Sequence, residues 1–156
     1  GSRGLGDVYK RQRERFATVG WLENEVYPGM PELLDRLCQA GKTMMVATSK
    51  PEVFARKILD HFQLAAYFSF VGGATLDGVR STKEEVIDYV LKTKEVVSLS
   101  EVIMVGDRKF DILGAKHAGV SSVGCVYGYG SREELETAGA DYVVDSIGEL
   151  QNLLLP

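Results

Sequence analysis

The sequence predicts a doubly wound α/β fold with a mostly parallel sheet. From residue 28 onward, short apolar runs alternate with amphipathic helical stretches, as parallel strands joined by right-handed crossovers require. Glycines, prolines and Ser/Thr caps stand at the joints between them. Three of the joints carry polar residues suited to chemistry, and in sheets of this class ligands sit beyond the carboxyl ends of the strands.

The elements follow in order. Pro31 to Ala40 sets Leu33, Leu34 and Leu37 at helical spacing, with proline suited to the first turn and Gly41 to the stop. Thr43 to Ala47 reads as a buried strand, followed by a polar turn at Thr48-Ser49. Pro51 opens a helix expected to bury Val53, Phe54, Ile58 and Leu59. Tyr67 to Val71 reads as a strand ending at Gly72-Gly73. Ser81 or Thr82 caps the next helix, which runs to about Lys94; Thr82 and Glu85 fit a capping box, and Val86, Ile87, Val90 and Leu91 form the apolar stripe. Val102 to Val105 is a strand, and the helix from Lys109 to Ala118 stops at Gly119. A strand from Ser122 to Val126 leads into a turn, Tyr127-Gly128-Tyr129-Gly130. Ser131 caps a helix with Glu134 at its third position; Tyr142 to Val144 and Ile147 to Leu154 are the last strand and helix.

Composition narrows the function classes. The chain has 156 residues and is 45% hydrophobic, enough for one domain with a core. Its formal net charge of −4 leaves no footprint for a nucleic-acid polymer. No apolar run reaches the ~20 residues of a membrane span, and no secretory signal is visible. Cys38 and Cys125 lie far apart, which argues against a disulfide framework or a thiolate metal site. Both are expected in the core, and a reducing, cytoplasmic setting is the default. Two histidines, His61 and His117, give little material for a zinc site or a Ser-His-Asp triad. Residues 1–12 are rich in glycine and arginine without periodicity and are set aside as a tag or non-native leader.

The three joints carry the chemistry. At the first, an apolar strand ends in Thr48 and Ser49, whose hydroxyls and following N–H groups can hold phosphate oxygens; a helix cap is the simpler reading of that joint alone. At the second, Lys83 opens a helix whose N-terminus favours negative charge; a phosphate dianion would resolve the conflict, and a solvated lysine is the plain alternative. At the third, Val102 to Val105 runs into Gly106-Asp107, and Asp111 follows four residues later. Such a carboxylate pair is what Mg²⁺ recruits when phosphate and water complete its octahedron; a cap and a surface acid is the alternative. Together the joints put hydroxyl, ammonium and carboxylates on one sheet edge, which suits phosphoryl transfer.

These residues resemble the motifs of the haloacid dehalogenase superfamily of phosphatases, in its phosphoglycolate-phosphatase-like branch and the subgroup labelled 5′-nucleotidase-like. The resemblance covers roughly Trp21 to Leu154 and extends to Tyr27-Pro28-Gly29, Ala47-Thr48-Ser49-Lys50-Pro51 and Tyr127-Gly128-Tyr129-Gly130. It implies that Thr48 binds the transferring phosphoryl group, that Lys83 neutralises phosphate and nucleophile, and that Asp107 and Asp111 help hold Mg²⁺. Residues 27–156 are then the α/β core, and 13–26 a remnant of the last cap helix with its hinge.

One departure is large. The family begins with a strand ending in Asp-x-Asp, whose first carboxylate attacks phosphorus. No such pair occurs here; Asp7-Val8-Tyr9 has tyrosine in the second place and no apolar strand before it. The family's nucleophile strand lies between the strands that end at Thr48 and Asp107, so its loss leaves two unpaired edges. Three repairs are expected: direct pairing of those edges, insertion of the N-terminal segment, or association of two chains. The resemblance thus implies a Mg²⁺-dependent phosphomonoester hydrolase, impaired or inactive for want of its nucleophile, that takes a small phosphate ester or inorganic phosphate. The alternative is a non-catalytic module that binds phosphate, Mg²⁺ or another chain. A receiver-like signalling domain fits less well, because its acidic pair would come early in the chain.

Overall fold

Strand and helix signals resolve into twelve regular elements, six strands and six helices, and two short 3₁₀ turns, Ala65–Tyr67 and Leu99–Glu101, over the residues that the computed structural model describes, 14–20 and 26–156. The strands are β1 (Phe16–Val19), β2 (Thr43–Pro51), β3 (Phe68–Ala74), β4 (Val102–Gly106), β5 (Ser121–Cys125) and β6 (Tyr142–Val144). The helices are α1 (Met30–Gln39), α2 (Glu52–His61), α3 (Lys83–Thr93), α4 (Lys109–Ala118), α5 (Arg132–Ala138) and α6 (Ile147–Leu154). The strands form one parallel sheet in the order β3-β2-β1-β4-β5-β6.

Alternation along the strands divides the core. Met44, Val46, Ile103 and Val105 face a layer built on Leu33, Leu34 and Leu37 of α1, Ala55 and Leu59 of α2, and Leu150 and Leu154 of α6. Met45, Ala47, Val102 and Met104 face the opposite layer, on Val86, Ile87, Val90 and Leu91 of α3. That four-residue stripe is the one expected, as is the Thr82–Glu85 capping box. α2 differs from expectation. It buries Ala55 and Leu59, whereas Val53 is 47% and Phe54 49% exposed. Helical spacing turns only the Ala55–Leu59 side inward. Cys125 is buried, but Cys38, next to the end of α1, is exposed.

The central slot is filled from within the chain. Phe16–Val19 pairs with Thr43–Val46 on one side and Val102–Val105 on the other. Arg15 N–H donates to Glu101 O at 2.8 Å, Thr43 N–H to Arg15 O at 2.7 Å and Gly20 N–H to Val105 O at 2.8 Å. The segment expected to be a cap-helix remnant is therefore a strand over these residues. Two unpaired inner edges offer a ladder of backbone partners, and that outweighs any local preference of four residues. The fit carries polar burial. The Thr18 hydroxyl is buried without a hydrogen-bond partner, and Glu14 is 3% exposed. Lys42 Nζ donates to Glu14 O at 2.6 Å; burial pushes the Lys42 ammonium down, opposed by the charge of Glu14. The expectations for residues 1–12, for Asp7-Val8-Tyr9 and for Trp21 lie outside the described residues. Among those residues no helix is long and apolar enough to cross a membrane.

Candidate phosphate and metal site

Parallel register brings the strand ends level. Val19 pairs with Val46 and with Val105, so Gly20, Ala47 and Gly106 come next, side by side, at the carboxyl edge. Lys83 reaches this point from the first turn of α3. Its Nζ lies 2.7 Å from Gly20 O, 3.2 Å from Ala47 O and 2.8 Å from Asp111 Oδ1. It is 9% exposed. Three oxygens match the three N–H donors of an ammonium, so the lysine that a helix N-terminus disfavours is held by two strand-end carbonyls and a carboxylate. Asp111 Oδ1 has no hydrogen-bond partner besides that charge contact.

Asp107 and Asp111 are each 2% exposed. Asp111 Oδ2 accepts from the backbone N–H groups of Asp107 at 3.1 Å and Arg108 at 3.2 Å, which caps α4 and ties the two acids together. Asp107 Oδ2 accepts from Tyr129 N–H at 2.9 Å, and Asp107 O from Gly130 N–H at 2.8 Å. The turn after β5 thus braces the end of β4. The bracing needs glycine: a Cβ at Gly128 would run into the Asp107 side chain, and one at Gly130 into the Asp107 carbonyl.

Thr48 is buried and follows directly on the carbonyl that Lys83 contacts; its Oγ1 accepts from Lys50 N–H at 3.1 Å. Ser49 is exposed. Neither forms the expected turn. β2 continues through both to Pro51, with a register shift between Ala47 and Pro51 against β3. Lys83, Asp111 and the strand ends are therefore in contact, Asp107 is one hydrogen bond from Asp111, and Thr48 stands beside them along β2.

Three contributors escaped the sequence reading. Gly20 stands where the central strand ends, and it offers only a carbonyl. A Cβ there would meet Asp111 Oδ1 and Met104 Cε. Tyr129 contributes its backbone N–H rather than its ring, which sequence pattern does not signal. Glu134 looked like a capping-box acid, and Ser131 does accept from Glu134 N–H at 3.0 Å. Its carboxylate turns instead to Arg108 Nε and Lys109 N–H, both at 2.9 Å. Behind Asp107, burial pushes the Cys125 thiol up to about 12 and the Tyr127 phenol above its usual range. Cys125 is thus no thiolate nucleophile at neutral pH.

The donors fit Mg²⁺ in kind. Asp107 and Asp111 offer hard carboxylate oxygens, and Mg²⁺ is commonly held by one or two carboxylates with phosphate and water supplying the rest. Among the described residues no cluster of three or more His, Cys, Asp or Glu side chains forms a complete protein cage.

Known proteins place the fold and the family. The model of the haloacid dehalogenase-like hydrolases matches residues 5–125. A 5′-nucleotidase of Pseudomonas aeruginosa is 42% identical over 148 residues, covering 95% of this chain and 66% of its own length. A phosphoglycolate phosphatase of Vibrio parahaemolyticus is 37% identical over 148 residues, covering 92% and 64%. The crystal structure of a predicted phosphatase from Clostridium acetobutylicum superposes with a TM-score of 0.82 at 46% identity, over 84% of this chain and 60% of that one. The chain therefore spans somewhat less than two thirds of the length of these relatives. On the family model, the identity to these relatives and the shared parallel-sheet fold, the chain belongs to the haloacid dehalogenase-like hydrolase family.

Proposed function

We propose that the 156-residue chain is a phosphate- and Mg²⁺-binding core of a phosphomonoester hydrolase, and that hydrolysis by it is strongly impaired. The observation that carries this reading is the convergence of Lys83 Nζ on Asp111, on the carbonyl of Gly20 just after β1 and on the carbonyl of Ala47 in β2. Lys83 supplies positive charge to a phosphate. Thr48 and the N–H groups after it supply donors from one side, and Asp107 and Asp111 hold Mg²⁺ from the other. When bound, Mg²⁺ neutralises phosphate charge and fixes the ester's orientation. Small phosphate esters, such as phosphoglycolate or a nucleoside monophosphate, are the substrate class.

The impairment follows from the central strand. Among the described residues β1 ends at Val19, and the Gly20 that follows offers Lys83 only a carbonyl; the carboxylate in contact with Lys83 is that of Asp111, which is tied to the backbone N–H groups of Asp107 and Arg108. Loss of a nucleophile costs several orders of magnitude in rate. The alternative, a non-catalytic phosphate-binding module, shares the same site and differs only in residual turnover. p-Nitrophenyl phosphate assayed with and without Mg²⁺ separates them from a working enzyme: turnover at background is the expected result. Mg²⁺-dependent turnover that disappears in Asp107→Ala would overturn the impairment.

A further inference from the structure

A groove of about 530 Å³ opens beside the site, lined by Ser49, Thr82, Lys83, Glu84, Phe110 and Leu113. Its size falls within the range of small-molecule sites. Phe110 and Leu113 occupy the first turns of α4 and are 51% and 43% exposed. They project from the helix that also carries Asp111. The Phe110 ring has the Arg108 guanidinium and the Lys109 ammonium each 5.4 Å from its centroid. An exposed aromatic face flanked by two cations, on the rim of an anion site, suits a ligand that is anionic at one end and flat and apolar at the other.

We propose that Phe110 and Leu113 seat the planar aromatic part of a phosphate monoester, so that phosphates carrying a ring bind better than aliphatic phosphates of equal charge. The proposal rests on the reading of Lys83, Asp107 and Asp111 as the phosphate and metal site. Phe110 stacks on the ring and Leu113 packs against its edge, in the groove that Ser49 and Lys83 also line. A two-carbon acid phosphate has nothing to place against the phenyl face; a nucleoside or an aryl group does.

The test compares matched ligands by calorimetric titration of the 156-residue chain in Mg²⁺ buffer. One pair is adenosine 5′-monophosphate against ribose 5-phosphate; the other is phenylphosphonate against methylphosphonate. The ring-bearing member of at least one pair is expected to bind about tenfold tighter, the size of a single base–aromatic stack. The first pair reports a nucleoside and the second an aryl ester. Phe110→Ala is expected to bring that ratio to within about twofold of unity, whereas Leu76→Ala, on an exposed turn after β3, leaves it unchanged. Equal binding within both pairs, with inorganic phosphate still bound, overturns the aromatic subsite and leaves the phosphate site standing. A preference that survives Phe110→Ala also overturns it. Failure of every phosphate and phosphonate to bind removes the underlying reading as well.

Discussion

Lys83 and Asp111 are both nearly out of solvent, with side-chain exposures of 9% and 3%. A buried ion pair gives little net stability, but removing one member leaves the other charge stranded at a cost of about 3–5 kcal/mol. Lys83→Met is therefore expected to lower unfolding free energy by about that amount in urea denaturation, and Lys83→Met with Asp111→Asn to recover part of the loss. A single variant as stable as the parent would mean that the pair is not buried as described. Thr18 poses the opposite case. Its hydroxyl is enclosed in the central strand without a partner, and such a group costs about 1–3 kcal/mol. Thr18→Val keeps the shape and removes the unpaired oxygen, so it should stabilise the chain by about 1 kcal/mol. A destabilised Thr18→Val would place a partner on that hydroxyl.

Between elements, the α4–α5 joint carries the site's outer support. Glu134 accepts from Arg108 Nε and Lys109 N–H, and the Arg108 hydrogen bond is the first cause holding its carboxyl below the usual range. A depressed folded-state pKa gives stability that is present above the ordinary glutamate value and lost as pH falls through the folded one. The melting-temperature gap between the parent and Glu134→Gln should thus be widest near neutrality and close in acid. A gap independent of pH would contradict the bridge. Legibility also varied by element. α3, α4 and α6 were readable because an apolar stripe with a capping box, a C-terminal glycine and a serine cap act locally. β2 was readable up to Ala47, but its extension past Thr48 depends on β3 alongside. β1 was not readable: four residues between Arg15 and Gly20 have no pattern of their own, and their conformation is set by two distant edges. The motif residues were legible because each stands at a strand end or first helical turn. Gly20, the Tyr129 N–H and the Glu134 carboxylate enter the site only through tertiary contacts.

At the scale of the whole molecule, three strand ends, two helix starts and one turn meet at a single edge of the sheet, and the charges there decide what can bind. One ammonium, Lys83, stands against two carboxylates, Asp107 and Asp111. A phosphate dianion entering alone would meet net negative charge, whereas Mg²⁺ on the carboxylates reverses the sign. Phosphate and Mg²⁺ should therefore bind with positive coupling, and the coupling must be the same from either side. Titration of inorganic phosphate into the chain with and without Mg²⁺, repeated on Asp107→Asn, measures this directly. Phosphate affinity is expected to rise about tenfold or more with Mg²⁺, within the usual range of coupling between sites, and to lose most of that gain in Asp107→Asn. Phosphate affinity unchanged by Mg²⁺, or a Mg²⁺ effect undiminished in Asp107→Asn, would contradict the site.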